Sequence, residues 1–122
     1  MQPRPSTFSI AARDPETGAV GVAVQSKFIG VGAVVPFVSA DAGAVATQSF
    51  ANVAYGPDGL DLLREGHSAA EAVEQLTSAD DDAPQRQVGI VEAPGDGVGE
   101  REDSVAAFSG EECFDVYGDI QG

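Results

Sequence analysis

The chain has 122 residues and contains no tryptophan, one cysteine, one histidine and one lysine. A single cysteine, Cys113, rules out a disulfide within the chain and points to a reducing compartment, the cytoplasm. The lone His67 and the lone cysteine lie far apart, so no clustered ligand set is offered to a metal, and no metal or organic cofactor is expected. Basic residues are scarce: 6 of them face 20 acidic ones, for a net charge of −14. Such a surface repels nucleic acid and anionic membranes, so neither is expected as a partner. The longest apolar run, Phe28 to Val38, is too short and too glycine-rich to cross a bilayer. The opening MQPRPS has no apolar core of the secretory-signal kind. An acidic, lysine-poor surface points to adaptation to high salt, where screening removes most of the self-repulsion.

What is present begins with two strands. Residues Thr7 to Lys27 read as a hairpin turning at Asp14-Pro15-Glu16-Thr17-Gly18. Proline presets φ there, glycine supplies a positive φ, and aspartate bonds the following backbone. Phe8 and Ile10 alternate with small or polar residues on the way in. Val20, Val22 and Val24 alternate with Gly21 and Ala23 on the way out, so the second strand is apolar on both faces and is expected to be buried on both. An antiparallel hairpin returns Ser26 and Lys27 to the side of Thr7. A hydroxyl beside a desolvated lysine is a candidate nucleophile site, although a slip of one residue would turn either side chain away.

A leader over residues 1–6 is read as extended. A third strand is expected around Val31 to Val38, placed at an edge or bulge by Pro36. Ala44 to Gln48 reads as a fourth strand of small residues. Tyr55 to Glu65 is a helix with Pro57 in its first turn and Gly66 at its end. Ser68 and Glu71 form a capping box, and Ala69, Ala72, Val73 and Leu76 share one helical face. The run Asp80-Asp81-Asp82 is either a cation site or, far more commonly, a solvated loop. Strands around Arg86–Val91 and Ser104–Phe108 follow, then a polar tail. Four strands, two helices and two further strands make an α+β fold rather than a doubly wound one.

The stretches TFSIAARDPETGAVGVAVQSKF, GAVATQSFAN, YGPDGLDLLREGHSAAEAVEQL and RQVGIVEA resemble the family called domain of unknown function 1028, over about residues 7–122. The resemblance implies membership of the N-terminal nucleophile (Ntn) hydrolases. It implies a layered αββα sandwich with mainly antiparallel sheets in one domain, here lacking its C-terminal helices and strands. It also implies cleavage of an amide in a small molecule or peptide by an N-terminal Thr, Ser or Cys whose own α-amine is the base. On that resemblance Thr7 is the expected nucleophile and Lys27 its electrostatic partner. Backbone amides near Thr47 and Gln48 are expected as the oxyanion hole, and Gln48 and Asn52 as substrate-binding groups.

The residues also permit blander roles. Thr7 suits a strand edge by β-propensity alone, Lys27 could lie along an apolar strand end, and Gln48 and Asn52 could satisfy buried backbone. Thr7 has a free amine only if the Ser6–Thr7 bond is cut. Uncut, the chain would be a binding or structural subunit with the fold but no catalysis. An open strand edge would favour homo-oligomers.

Overall fold

Alternation and turn chemistry build the first two strands as the sequence indicates. In the computed structural model, which describes residues 7–27, 29–95, 97–98 and 101–113, β1 spans Thr7–Arg13 and β2 Val20–Ser26. They pair antiparallel, with Thr7 opposite Ser26 and Arg13 opposite Val20. The turn closes through Asp14 N–H to the Ala19 carbonyl at 2.8 Å, and Asp14 Oδ1 accepts from the Glu16 amide at 2.9 Å. Gly18 takes φ 77°, the left-handed region where a side chain would strain the backbone.

The second sheet is β3 (Pro36–Ser39), β4 (Gly43–Ser49), β5 (Arg86–Glu92) and β6 (Val105–Ser109), antiparallel throughout and in that order. Pro36 begins β3 at the sheet's edge, where a missing N–H costs no ladder bond. The preceding residues differ from the expected strand. Gly30 adopts φ 80°, and Val31–Ala33 form a single 3-10 turn, so extended structure starts only at Pro36.

Two helices lie between β4 and β5, α1 (Tyr55–Arg64) and α2 (Ala69–Ser78). Gly66, at φ 97°, follows the end of α1. The capping box of α2 forms in full: Glu71 N–H donates to Ser68 Oγ, and the Ser68 amide donates back to Glu71 Oε1, each at 3.1 Å. Such a cap is worth about 1 kcal/mol. Ala69, Ala72, Val73 and Leu76 pack with Tyr55 and Leu60 onto Val45, Val88 and Ile90. At Gly56 an added Cβ would lie 2.2 Å from the Phe37 ring, so helix and sheet meet there only because the side chain is hydrogen.

Alternation along β4 and β5 sends Val45, Val88 and Ile90 to the helices, and Ala46, Gln48 and Gln87 to the opposite face, where the hairpin packs. The layers are therefore helices, four-stranded sheet and two-stranded sheet, an α+β sandwich. Among the described residues nothing covers the outer face of the hairpin. Phe8 and Ile10 are 62% and 61% exposed there, and Ala23 is exposed beside them. The expectation that β2 is buried on both faces fails for this reason. The inward face of β1 is the polar one, carrying Thr7, Ser9 and Arg13. Residues 1–6 and the tail beyond Cys113, for which an extended leader and a polar tail were expected, lie outside the described residues.

Candidate functional site

A layer between two sheets is ordinarily apolar, yet one end of this layer is built from hydroxyls and carboxamides. Thr7 Oγ1 lies 2.7 Å from Ser26 Oγ, its cross-strand partner. Two residues along β1, on the same face, Ser9 Oγ donates to Gln48 Oε1 at 2.9 Å. The Thr7 carbonyl, which can only accept, fixes the orientation of the carboxamide. Gln48 Nε2 donates to the Thr7 carbonyl at 3.3 Å and also to Gln87 Oε1. Gln87 Nε2 continues to Ser109 Oγ at 3.1 Å. The chain of donors and acceptors runs from the hairpin across β4 and β5 to β6. Gln48 and Gln87 are both buried, and no buried side-chain polar atom among the described residues lacks a partner.

The expected site residues divide between the two faces of β4. Gln48 reaches Thr7. Thr47, its neighbour, points the other way by the period of two, and its Oγ1 makes a long 3.5 Å contact to the Asn52 carbonyl. The Thr47 amide donates to the Val35 carbonyl at 3.1 Å, so it is not free to face an oxyanion in this arrangement. The Gln48 backbone lies in the β4–β5 ladder opposite Gln87. Asn52 is not beside Thr7. Its Oδ1 accepts from the Ala54 amide at 3.1 Å, and its Nδ2 points to Asp80. Lys27 follows Ser26 in a bend past the end of β2 and is exposed, not desolvated. The register gives the inward position to Ser26, and alternation denies it to the next residue.

Asp80 is the centre of a second polar knot, on the helix side of the sheet. Its Oδ2 accepts from the Tyr55 hydroxyl at 2.6 Å and from Arg86 Nε at 2.9 Å, and its Oδ1 accepts from the Asp82 amide at 3.0 Å. Arg86 also donates to the Phe50 carbonyl at 2.7 Å. The Arg86 and Tyr55 hydrogen bonds hold the Asp80 carboxyl well below the usual range. Burial, followed by the Asp80 bond, pushes the Tyr55 phenol up. A groove of about 670 Å³ opens beside this knot, lined by Asp58, Asp61, Glu65 and Asp80 to Asp82 among others. Asp80 is already satisfied by protein donors, and no metal-holding cluster occurs among the described residues. Here the acidic run is a structural staple between the end of α2 and the start of β5.

Cys113 is half-buried, with Sγ 3.3 Å from the Arg86 carbonyl and 3.5 Å from Ser49 Oγ. His67 sits at the helix pair, 3.2 Å from Gln75 Nε2, with no part in the Thr7 cluster. Sequence reasoning missed Ser9, Gln87 and Ser109. Ser9 was accessible from its spacing to Thr7. Gln87 and Ser109 follow only from the registers that set Gln48 opposite Gln87, and Gln87 opposite Ser109.

A family model described as a family of unknown function (DUF1028) matches residues 7–122. A crystal structure of protein SPO2555 from Silicibacter pomeroyi, described by the same family model, superposes with a TM-score of 0.81 at 34% identity. The match covers 95% of this chain and 50% of that one, so this chain spans about half the length of the solved protein. A search of curated proteins returned no match. No helix among the described residues is long and apolar enough to cross a membrane.

Proposed function

Because this chain belongs to the DUF1028 family, a family without an assigned activity, we propose from the site itself that it is an amide hydrolase of the N-terminal nucleophile type, with Thr7 as nucleophile. The observation that carries this reading is the hydroxyl pair. Thr7 heads the inner face of β1 with its Oγ1 2.7 Å from Ser26 Oγ and its carbonyl held by Gln48. A threonine serving only as a strand former needs no such surroundings.

The chemistry requires the Ser6–Thr7 bond to be cut. The freed α-amine then has an ordinary pKa near 8, so much of it is neutral at working pH. It takes the Thr7 Oγ proton as Oγ bonds to the amide carbon. The resulting ammonium returns that proton to the leaving nitrogen as the C–N bond breaks. Water, deprotonated by the same amine, then splits the acyl ester, releasing the acid and restoring Thr7. Ser26 orients the Thr7 hydroxyl, and Gln48 with Ser9 fixes its backbone. Lys27, one residue past Ser26, adds positive potential that favours the neutral amine.

The test is the intact mass of the protein purified in molar salt, as its acidic, halophile-like composition favours. A mass that begins at Thr7 is the expected result. A mass that retains residues before Thr7 removes the base and with it the mechanism, and leaves a binding or structural subunit.

A further inference from the structure

The charges of this chain are unevenly committed. Five basic side chains fall among the described residues, and the four arginines are all engaged. Arg13 donates to the Ser104 hydroxyl at 2.8 Å, Arg64 to Asp41 at 2.9 Å, Arg86 to Asp80 at 2.9 Å, and Arg101 to Glu92 at 2.6 Å. Lys27 is the exception: among the described residues no side-chain hydrogen bond or ion pair engages it, in a chain carrying 20 acidic residues. It stands at the Thr7 end of the hairpin, immediately after the residue that bonds the Thr7 hydroxyl.

Two exposed apolar residues follow closely along the chain, one after Lys27 and one after Gln48. Ile29 is 95% exposed and Phe50 is 66% exposed. Ile29 lies two residues beyond Lys27, and Phe50 two residues beyond Gln48, so chain connectivity keeps each Cα within about 7 Å of those residues' Cα atoms. Ser49, at φ 69°, turns the chain out of β4 just before Phe50. Elsewhere the net charge of −14 repels an anion. An anionic group is therefore favoured at Lys27 and disfavoured over most of the remaining surface.

We infer that the Thr7 site takes amides that carry a carboxylate beside an apolar side chain, of the N-acylated apolar amino acid class, with the carboxylate on Lys27 and the apolar group against Ile29 and Phe50. This rests on the reading of Thr7 as the reacting group. It gives Lys27 a ligand to hold, where the family resemblance gave it only a field to supply.

The experiment pairs N-acetyl-L-phenylalanine with its carboxamide, which differs in lacking the charge. Binding is measured by NMR titration and cleavage by release of the free amine, for the native chain, Lys27→Met and Lys27→Arg. The expected result is a three- to fivefold tighter binding of the acid, the range of an exposed ion pair. That preference is lost in Lys27→Met and kept in Lys27→Arg. Equal binding of acid and carboxamide overturns the inference, as does millimolar ligand that fails to bind at all. Acid and carboxamide cleaved with the same KM and kcat by the native chain overturn it too but leave the Thr7 reading standing. Selective, Lys27-dependent binding without cleavage does the reverse: the ligand class holds and the hydrolase reading falls.

Discussion

Thr7→Ala is expected to lower amide turnover by about a thousandfold or more, with little loss of stability. On the proposed mechanism the variant removes the atom that would form the acyl bond, and neither the α-amine nor water at the same place would replace it. Its structural cost is one part-buried hydroxyl contact to Ser26, about 1 kcal/mol. Thr7→Ser keeps the nucleophile and is expected to stay within about tenfold of the native rate, since a hydroxyl survives at the same carbon. Turnover and urea midpoint, measured on the same preparations, separate the chemical effect from unfolding. A Thr7→Ala protein that cleaves at the native rate would sink the mechanism.

Asp80→Ala is expected to be the most damaging single change to the fold, costing about 3 kcal/mol. It strips the carboxylate from Arg86, leaving a guanidinium only 16% exposed without its main partner, and orphans the Tyr55 hydroxyl. Asp80→Asn keeps an acceptor for Tyr55 and should cost less. The same knot sets an acid limit. The Asp80 carboxyl titrates below its ordinary value in the folded chain, because Arg86 and Tyr55 donate to the charged form. Its contribution is therefore complete above the ordinary aspartate pKa of about 4 and is lost as pH falls through the depressed folded value. Urea unfolding in molar salt at pH 7 and at successively lower pH should show the native midpoint falling through that window. Asp80→Ala, starting lower, should show a flatter pH dependence. A native protein and an Asp80→Ala variant with parallel pH curves would remove Asp80 as the cause.

Much of the scaffold is written locally. The Ser68–Glu71 box, Gly66, the Asp14–Gly18 turn and the edge position of Pro36 depend on a few neighbouring residues, and the structure bears each of them out. The faces of the strands are less legible. Alternation shows that β1 has two different faces but not which one meets the other sheet. The apolar pair Phe8 and Ile10 faces outward, while Thr7, Ser9 and Arg13 face in. Within the site, the division of β4 is itself a local property. Thr47 and Gln48 are adjacent in a strand, so the period of two alone keeps their side chains out of a common pocket. Lys27 turned on a single residue of register, and Gln87 on pairing between distant strands, neither of which local sequence contains.

Among the described residues the two sheets share no ladder of backbone hydrogen bonds. The hairpin rests on the body through packing and through side-chain bridges: Ser9 and the Thr7 carbonyl to Gln48 at one end, Arg13 to Ser104 at the other. A lone two-stranded ribbon is marginal in water. It is therefore the part of the molecule suited to breathing as a unit, with β4 and β5 closed behind it. Thr7 rides on the moving piece, and the carboxamides that hold it stay on the stationary one. Each opening would disperse the site while the helix-packed core remained whole. Mild denaturant should accordingly silence the protein well before it unfolds, and the amides of β1 and β2 should exchange with solvent together, ahead of those of β4.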